Sequence, residues 1–199
     1  MQRHARNPLI RPDQVLPSAP GYRLRGAFNP AAMRFGDEVL LLLRVAEDCP
    51  ARDGHAAVPV ARIEGGVGRP EILDVSLDDP DVRLKDTRGI VYRGVDYLST
   101  MSHIRIARSR DGVNFQVDDA PFIFPGDASE CFGVEDARVT RFGDTYTINY
   151  TCVSPDGWGT ALATTRDFRT IEPVSYTHLT LPTTNKPWRS RWSPYQEKK

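Results

Sequence analysis

Apolar positions fall in short, closely bounded runs: Val39 to Val45, Gly89 to Tyr92, Tyr97 to Met101, Ile104 to Ala107, Arg138 to Arg141, Thr145 to Cys152 and Thr160 to Thr164. Most are β-branched or otherwise apolar and are closed by Gly, Asp or Pro, the pattern of strands that end in turns. No stretch keeps a helical apolar period over several turns, so the chain reads as all-β.

The runs also repeat. Asp86-Thr87-Arg88 is followed by Gly94, Tyr97, the run Ile106-Ala107-Arg108-Ser109-Arg110-Asp111 and Phe115, and Asp136-Ala137-Arg138 by Gly143, Tyr146, Ala161-Leu162-Ala163-Thr164-Thr165-Arg166-Asp167 and Phe168. A fainter copy starts at Asn29-Pro30-Ala31. A period of about 50 residues built from three or four short antiparallel strands is that of a β-propeller blade, because one such sheet cannot bury both faces and stacks radially on its neighbours. At that period the chain holds roughly three blades, short of a closed ring. From Ser175 the sequence changes to Ser175-Tyr176-Thr177-His178-Leu179-Thr180-Leu181-Pro182 and a basic, Trp-containing stretch that continues no repeat. Residues 1–174 are expected to form a partial propeller of N-terminal blades, and 175–199 a non-native or disordered tail.

Composition narrows the class. With 40% hydrophobic and 26% charged residues the chain can build an ordinary globular core, which excludes a disordered or collagenous chain. Lys plus Arg (26) balances Asp plus Glu (26), so no net field draws it to nucleic acid or an acidic membrane, and neither is an expected partner. The longest aliphatic run, Val39 to Leu43, is far short of the roughly 20 residues that span a bilayer. Asn7 to Pro20 is broken by prolines and offers no secretory signal, so a cytoplasmic location is expected. Cys49, Cys131 and Cys152 form no C-x-x-C pair, and His4, His55, His103 and His178 lack metal-ligand spacing. No disulfide framework, metal or other cofactor is expected.

The strongest local constellation is Phe132-Gly133-Val134-Glu135-Asp136-Ala137-Arg138. In a regular strand Asp136 and Arg138 point to one side and Glu135 to the other, which predicts an acid paired with a cation in a common pocket and Glu135 behind it. Such a carboxyl serves as a general acid where burial favours its proton, while the arginine favours the ionised form. An Asp–Arg pair that only pins each blade fits the same spacing, since Asp86 and Arg88 repeat it.

Several separated segments, in order, resemble glycoside hydrolase family 130 of β-mannoside phosphorylases and β-1,2-mannosidases. They are Asn29-Pro30-Ala31-Ala32, Leu43-Arg44-Val45-Ala46-Glu47, Ser102-His103-Ile104-Arg105-Ile106-Ala107-Arg108-Ser109, Gly133-Val134-Glu135-Asp136-Ala137-Arg138, and Tyr150-Thr151-Cys152-Val153-Ser154 through Phe168. The resemblance runs from about Asn7 to Pro173. It implies a five-bladed propeller with a central funnel, of which this chain holds the N-terminal part, and inverting cleavage of a terminal β-mannoside. It places the general acid on Asp136, the motif's arginine on Arg138, and sugar-binding positions of the donor subsite on Asn29 and Arg44, with Glu47 and Asp48 near them. Ala137 stands where the family usually has proline; this relaxes a backbone angle and removes no reacting group.

A single carboxylic acid suffices if inorganic phosphate is the co-substrate, because phosphate is already an anionic nucleophile, whereas an inverting hydrolase also needs a base to activate water. The cradle for phosphate would need Arg, Lys and His side chains. His103 and Arg105 are candidates, with a solvated blade edge as the alternative home for both. Trp158, at the Asp156-Gly157-Trp158-Gly159 turn, could stack on a sugar face or pack on a neighbouring blade. The expected partners are a β-mannoside oligosaccharide and inorganic phosphate, with self-association through open blade edges. The rival readings are a hydrolase of the same family, a non-catalytic sugar-binding propeller, and a five-bladed glycosidase acting on furanosides.

Overall fold

A computed structural model describes residues 4–85 and 88–177. Thirteen strands are built from them: β1 (Arg23–Phe35), β2 (Glu38–Asp48), β3 (His55–Glu64), β4 (Val67–Ser76), β5 (Val82–Leu84), β6 (Gly89–Tyr92), β7 (Val95–Leu98), β8 (Met101–Ser109), β9 (Gln116–Val117), β10 (Gly133–Phe142), β11 (Thr145–Ser154), β12 (Gly157–Thr165) and β13 (Glu172–Thr177). Among the described residues the helical content is two single 3-10 turns, Pro12–Gln14 and Ala128–Glu130, and no helix is long and apolar enough to cross a membrane. Asp86, Thr87 and the tail beyond Thr177 lie outside the described residues.

The strands fall into three groups. β10 to β13 form an antiparallel meander. β1, β2, β8 and β9 form a second four-stranded unit, and the hairpin β3–β4 packs with the meander β5–β6–β7 around Ala56, Val58, Val75 and Ile90. The first two units join through a single parallel pair, Gly133 opposite Ser102. They enclose a core of Leu40, Leu42, Ile104, Ile106, Val134, Ile148, Ala161 and Phe168. This is the stacking of blades, and no sheet closes on itself among the described residues.

The recurring Ser/Thr-Arg-Asp-x-aromatic ends have a structural use. Asp111 accepts hydrogen bonds from the backbone N–H of Val113 and Asn114 at 2.8 and 2.7 Å, and Asp167 from those of Arg169 and Thr170 at 2.8 and 2.9 Å. Each carboxylate closes the turn that ends its strand, and those N–H donors hold the Asp167 carboxyl down at about 2. Phe168 is fully buried against Phe35, Phe122 and Tyr146.

Three features depart from the sequence expectations. In the second repeat the third strand, β8, pairs with β2 rather than with β7: the Leu-rich face of β2 requires an apolar partner on both sides, and β8 supplies Ile104 and Ile106. The connection around Asp53-Gly54 and Gly65-Gly66 contains the β3–β4 hairpin, with Gly65 and Gly66 both at positive φ in its turn. Pro59 and Pro70 obscure it in the sequence, but a two-stranded ribbon has outer edges on which a missing N–H costs nothing. Finally, β13 runs across the 174/175 boundary, with Ser175, Tyr176 and Thr177 paired to Leu162, Ala161 and Thr160.

Candidate active site

The site begins with a glycine. Gly133 opens β10 at φ 127°, and a Cβ there would stand 2.7 Å from the backbone N of Ser102. Only glycine permits this approach of β10 to β8, and it brings the following carboxylates beside Ser102 and Arg44.

Regular alternation then fails. The register between β10 and β11 shifts between Glu135 and Arg138, and Asp136 takes a left-handed backbone, φ 51°. This β-bulge corrects the strand-based expectation: Glu135 and Asp136 reach the same guanidinium, while Arg138 turns away. Arg44 donates from Nη2 to Glu135 at 2.5 Å, from Nη1 to Asp136 Oδ1 at 3.4 Å and from Nε to Ser102 Oγ at 3.1 Å. Its Cζ lies 5.0 Å from the centre of the Phe28 ring. A second bulge, in β1 between Phe28 and Ala31, carries Asn29 at φ 46°. Asn29 Nδ2 donates to Asp136 Oδ1 at 3.2 Å. Two bulges on different blades thus turn Asn29 and Asp136 toward each other.

Asn29, Arg44 and Asp136 therefore come together, joined by Glu135, Ser102 and Phe28, whose place the sequence did not reveal. Burial, with the adjacent Asp136 charge, pushes the Glu135 carboxyl up against the opposing pull of Arg44. The Asp136 side chain is 35% exposed, open enough to meet a ligand.

Other candidates lie elsewhere. Arg138 is exposed and donates from Nη1 to the carbonyl of Ala137 at 2.7 Å, so it braces the bulge rather than pairing with the Asp136 carboxylate. Asp48 is held by Arg23 and Arg25 at 3.0 and 3.2 Å, about 13 Å along β2 from Arg44 at 3.3 Å per residue. Glu47, His103 and Arg105 occupy the opposite face of the β2–β8 sheet, because Val45 pairs with His103 and Leu43 with Arg105 while Arg44 pairs with Ile104. All three are fully buried, which corrects the solvated-edge expectation for His103 and Arg105. Their placement on that face does not bring them to Asp136.

Glu47 accepts the backbone N–H of Ser18 at 2.6 Å and the Ser18 hydroxyl, and stands 3.4 Å from His103 Nδ1. Burial alone would raise its carboxyl, but His103 and the Ser18 donors outweigh it and hold it low. Burial pushes His103 down, against the opposing pull of Glu47. Arg105 has no hydrogen-bond partner for Nε, Nη1 or Nη2 among the described residues. Trp158 is 76% exposed at the start of β12. No group of three or more His, Cys, Asp or Glu among the described residues is placed to hold a metal ion.

Comparison with known proteins places the chain in a family. Residues 80–193 match the sequence model of glycoside hydrolase family 130, described as beta-1,4-mannooligosaccharide phosphorylase. The β-1,2-mannobiose phosphorylase of Listeria innocua is 41% identical over 175 residues, 85% of this chain and 49% of the relative. The chain thus spans about half the length of that relative. The solved structure of the Listeria enzyme with β-1,2-mannobiose superposes with a TM-score of 0.74 over 86% of this chain and 49% of that one. A solved structure from Parabacteroides distasonis, 19% identical, shares the fold with a TM-score of 0.57 over 87% of this chain and 40% of that one. The chain is a partial β-propeller, and it belongs to glycoside hydrolase family 130.

Proposed function

We propose that the protein carrying this chain cleaves β-mannosidic linkages with inversion, by phosphorolysis of β-1,2-linked or related manno-oligosaccharides to mannose 1-phosphate. The observation that carries this reading is the Asp136 carboxyl, exposed on a bulge and steadied by Asn29 and Arg44, in a chain 41% identical to a β-1,2-mannobiose phosphorylase. A phosphate oxygen attacks the anomeric carbon from the face opposite the leaving sugar, and the C1–O bond to that sugar breaks. The departing oxygen takes the proton of Asp136, directly or through a sugar hydroxyl, and solvent reprotonates the carboxylate. Asn29 and Arg44 contact hydroxyls of the mannosyl unit undergoing transfer. Inorganic phosphate is the co-substrate and no metal or other cofactor takes part.

Inverting hydrolysis needs a base across the sugar ring from the acid, with room for a water between them. Glu135 is not placed for that role: Glu135 and Asp136 share one guanidinium, so both lie on the same side of a sugar set against Asp136.

The test is release of mannose 1-phosphate from β-1,2-mannobiose with and without phosphate. Phosphate-dependent release that falls by about 10²- to 10⁴-fold in Asp136→Asn is expected, the contribution of one general acid. Full activity in that variant, or release of free mannose alone without phosphate, would overturn the proposal.

A further inference from the structure

We infer that Glu135 is a positioning residue for the acid: by holding one arm of the Arg44 guanidinium, it keeps Arg44 on a single oxygen of Asp136 and leaves the other oxygen open to the substrate. This rests on the reading of Asp136 as the acid.

The geometry supplies the argument. An arginine facing a lone carboxylate tends to engage both oxygens through two parallel N–H bonds. Here the three nitrogens of Arg44 are divided: Nε goes to Ser102, Nη2 to Glu135 and Nη1 to Asp136 Oδ1. Asn29 also donates to Oδ1. Both protein donors to the Asp136 side chain therefore converge on one oxygen, and Oδ2 has no partner among the described residues. An acid needs such an oxygen, because a proton on it must face the departing group rather than a guanidinium. With Glu135 removed, Nη2 loses its partner while the Phe28 ring and Ser102 still hold the rigid guanidinium plane in place. The Asp136 carboxylate then turns to set Oδ2 against Nη2, closing the two-point pairing that removes the open oxygen.

Glu135 therefore acts through Arg44, and a double-mutant cycle reads this directly. In the protein carrying this chain, Glu135→Ala is expected to lower kcat for mannobiose phosphorolysis by about 100-fold, the cost of misplacing a reacting group. The isosteric Glu135→Gln, whose amide oxygen still accepts from Nη2, is expected to lower it by about tenfold. In an Arg44→Gln background either change should cost little more, because the arm that Glu135 restrains is gone. A merely structural role gives additive losses instead, and additivity overturns the inference.

A measurement on the 199-residue chain needs no turnover. The charged groups facing Glu135 are Arg44 from β2 and Asp136 from its own strand, with neutral Ser102, Asn29 and the register partner Thr151 around them. Carbon-detected NMR titration should place the Glu135 carboxyl above the ordinary glutamate range. Its midpoint should rise further in Arg44→Gln and fall in Asp136→Asn. A midpoint indifferent to Arg44→Gln also overturns the inference. Asp136→Asn, assayed alongside, separates the two readings: if it keeps full activity the assignment of the acid fails, and if it is inactive while the cycle is additive only the positioning role fails.

Discussion

Asp136 and Asn29 meet with left-handed backbones, φ 51° and 46°, a conformation that disfavours residues with a Cβ but that Asp and Asn tolerate through local hydrogen bonding. The strain and the chemistry therefore sit on the same two residues. This separates stability from activity in a testable way. Asp136→Asn should unfold in urea within about 0.5 kcal/mol of wild type, while Asp136→Ala should lose about 1 kcal/mol. Both should lose about 10²- to 10⁴-fold in activity, the contribution of one general acid. Equal stability of the two variants would contradict the backbone argument.

His103 makes a second residue-level prediction, on pH. Burial sets its folded midpoint below the ordinary histidine value of about 6.5, so the unfolded chain binds a proton more readily. Stability must then fall as pH drops through 6.5. Glu47, held low in the fold, adds a loss of the same sign further down, below the ordinary glutamate range. Glu130 and Glu135, both raised by burial, act in the opposite sense and cancel when two variants are compared. The Tm of wild type should therefore fall relative to His103→Gln between about pH 7 and pH 5; a constant difference would show that His103 does not titrate as argued.

At the scale of elements, the site depends on where regular strand geometry breaks. The alternation that places Asp136 with Arg138 holds for an unbroken strand, and the bulge in β10 reverses it. The bulge works because Gly133 lets the strand start against Ser102. A methyl group there would overlap backbone and also strain φ, so Gly133→Ala should cost about 1–3 kcal/mol and lower activity by displacing Glu135 from Arg44. Wild-type stability and kcat in that variant would show that the approach is not required. The turn-closing Asp111 and Asp167 show that part of the repeat signature records turn chemistry. Phe168, enclosed by three aromatic rings, should cost about 3–5 kcal/mol when replaced by alanine. Thermal or urea unfolding checks this directly.

At the scale of the whole molecule, three strand groups stack without closing a ring among the described residues, and apolar side chains stand outside any core: Val67 is 59% exposed, Phe142 66% and Val174 57%. Scattered singly these mean little, but together with open blade edges they favour pairing between chains. The 199-residue chain by itself should associate as concentration rises, as light scattering coupled to size exclusion would detect. A monodisperse monomer over the whole range would contradict this.

The sequence by itself determined the all-β class, the repeated turn signature, most of the inner strands and the Gly133–Arg138 motif on which the site is built, because periodicity, turn residues and local spacing are properties of neighbouring residues. It also brought Asn29, Arg44 and Asp136 forward together through resemblance. Tertiary structure decided which of the remaining candidates share a site. Glu47 and Arg44 are neighbours on one strand, yet only the pairing of β2 with β8 sends Glu47 to His103 and Arg44 to Ser102. Glu135 joined the site, and the Arg138 side chain turned away from the Asp136 carboxyl, because a bulge shifts the register by a residue, which no alternation rule anticipates. The strand pairing of β8 with β2 across the intervening β3–β7 unit was likewise invisible, since contacts between distant segments are set by which apolar faces must be covered once the strands have formed.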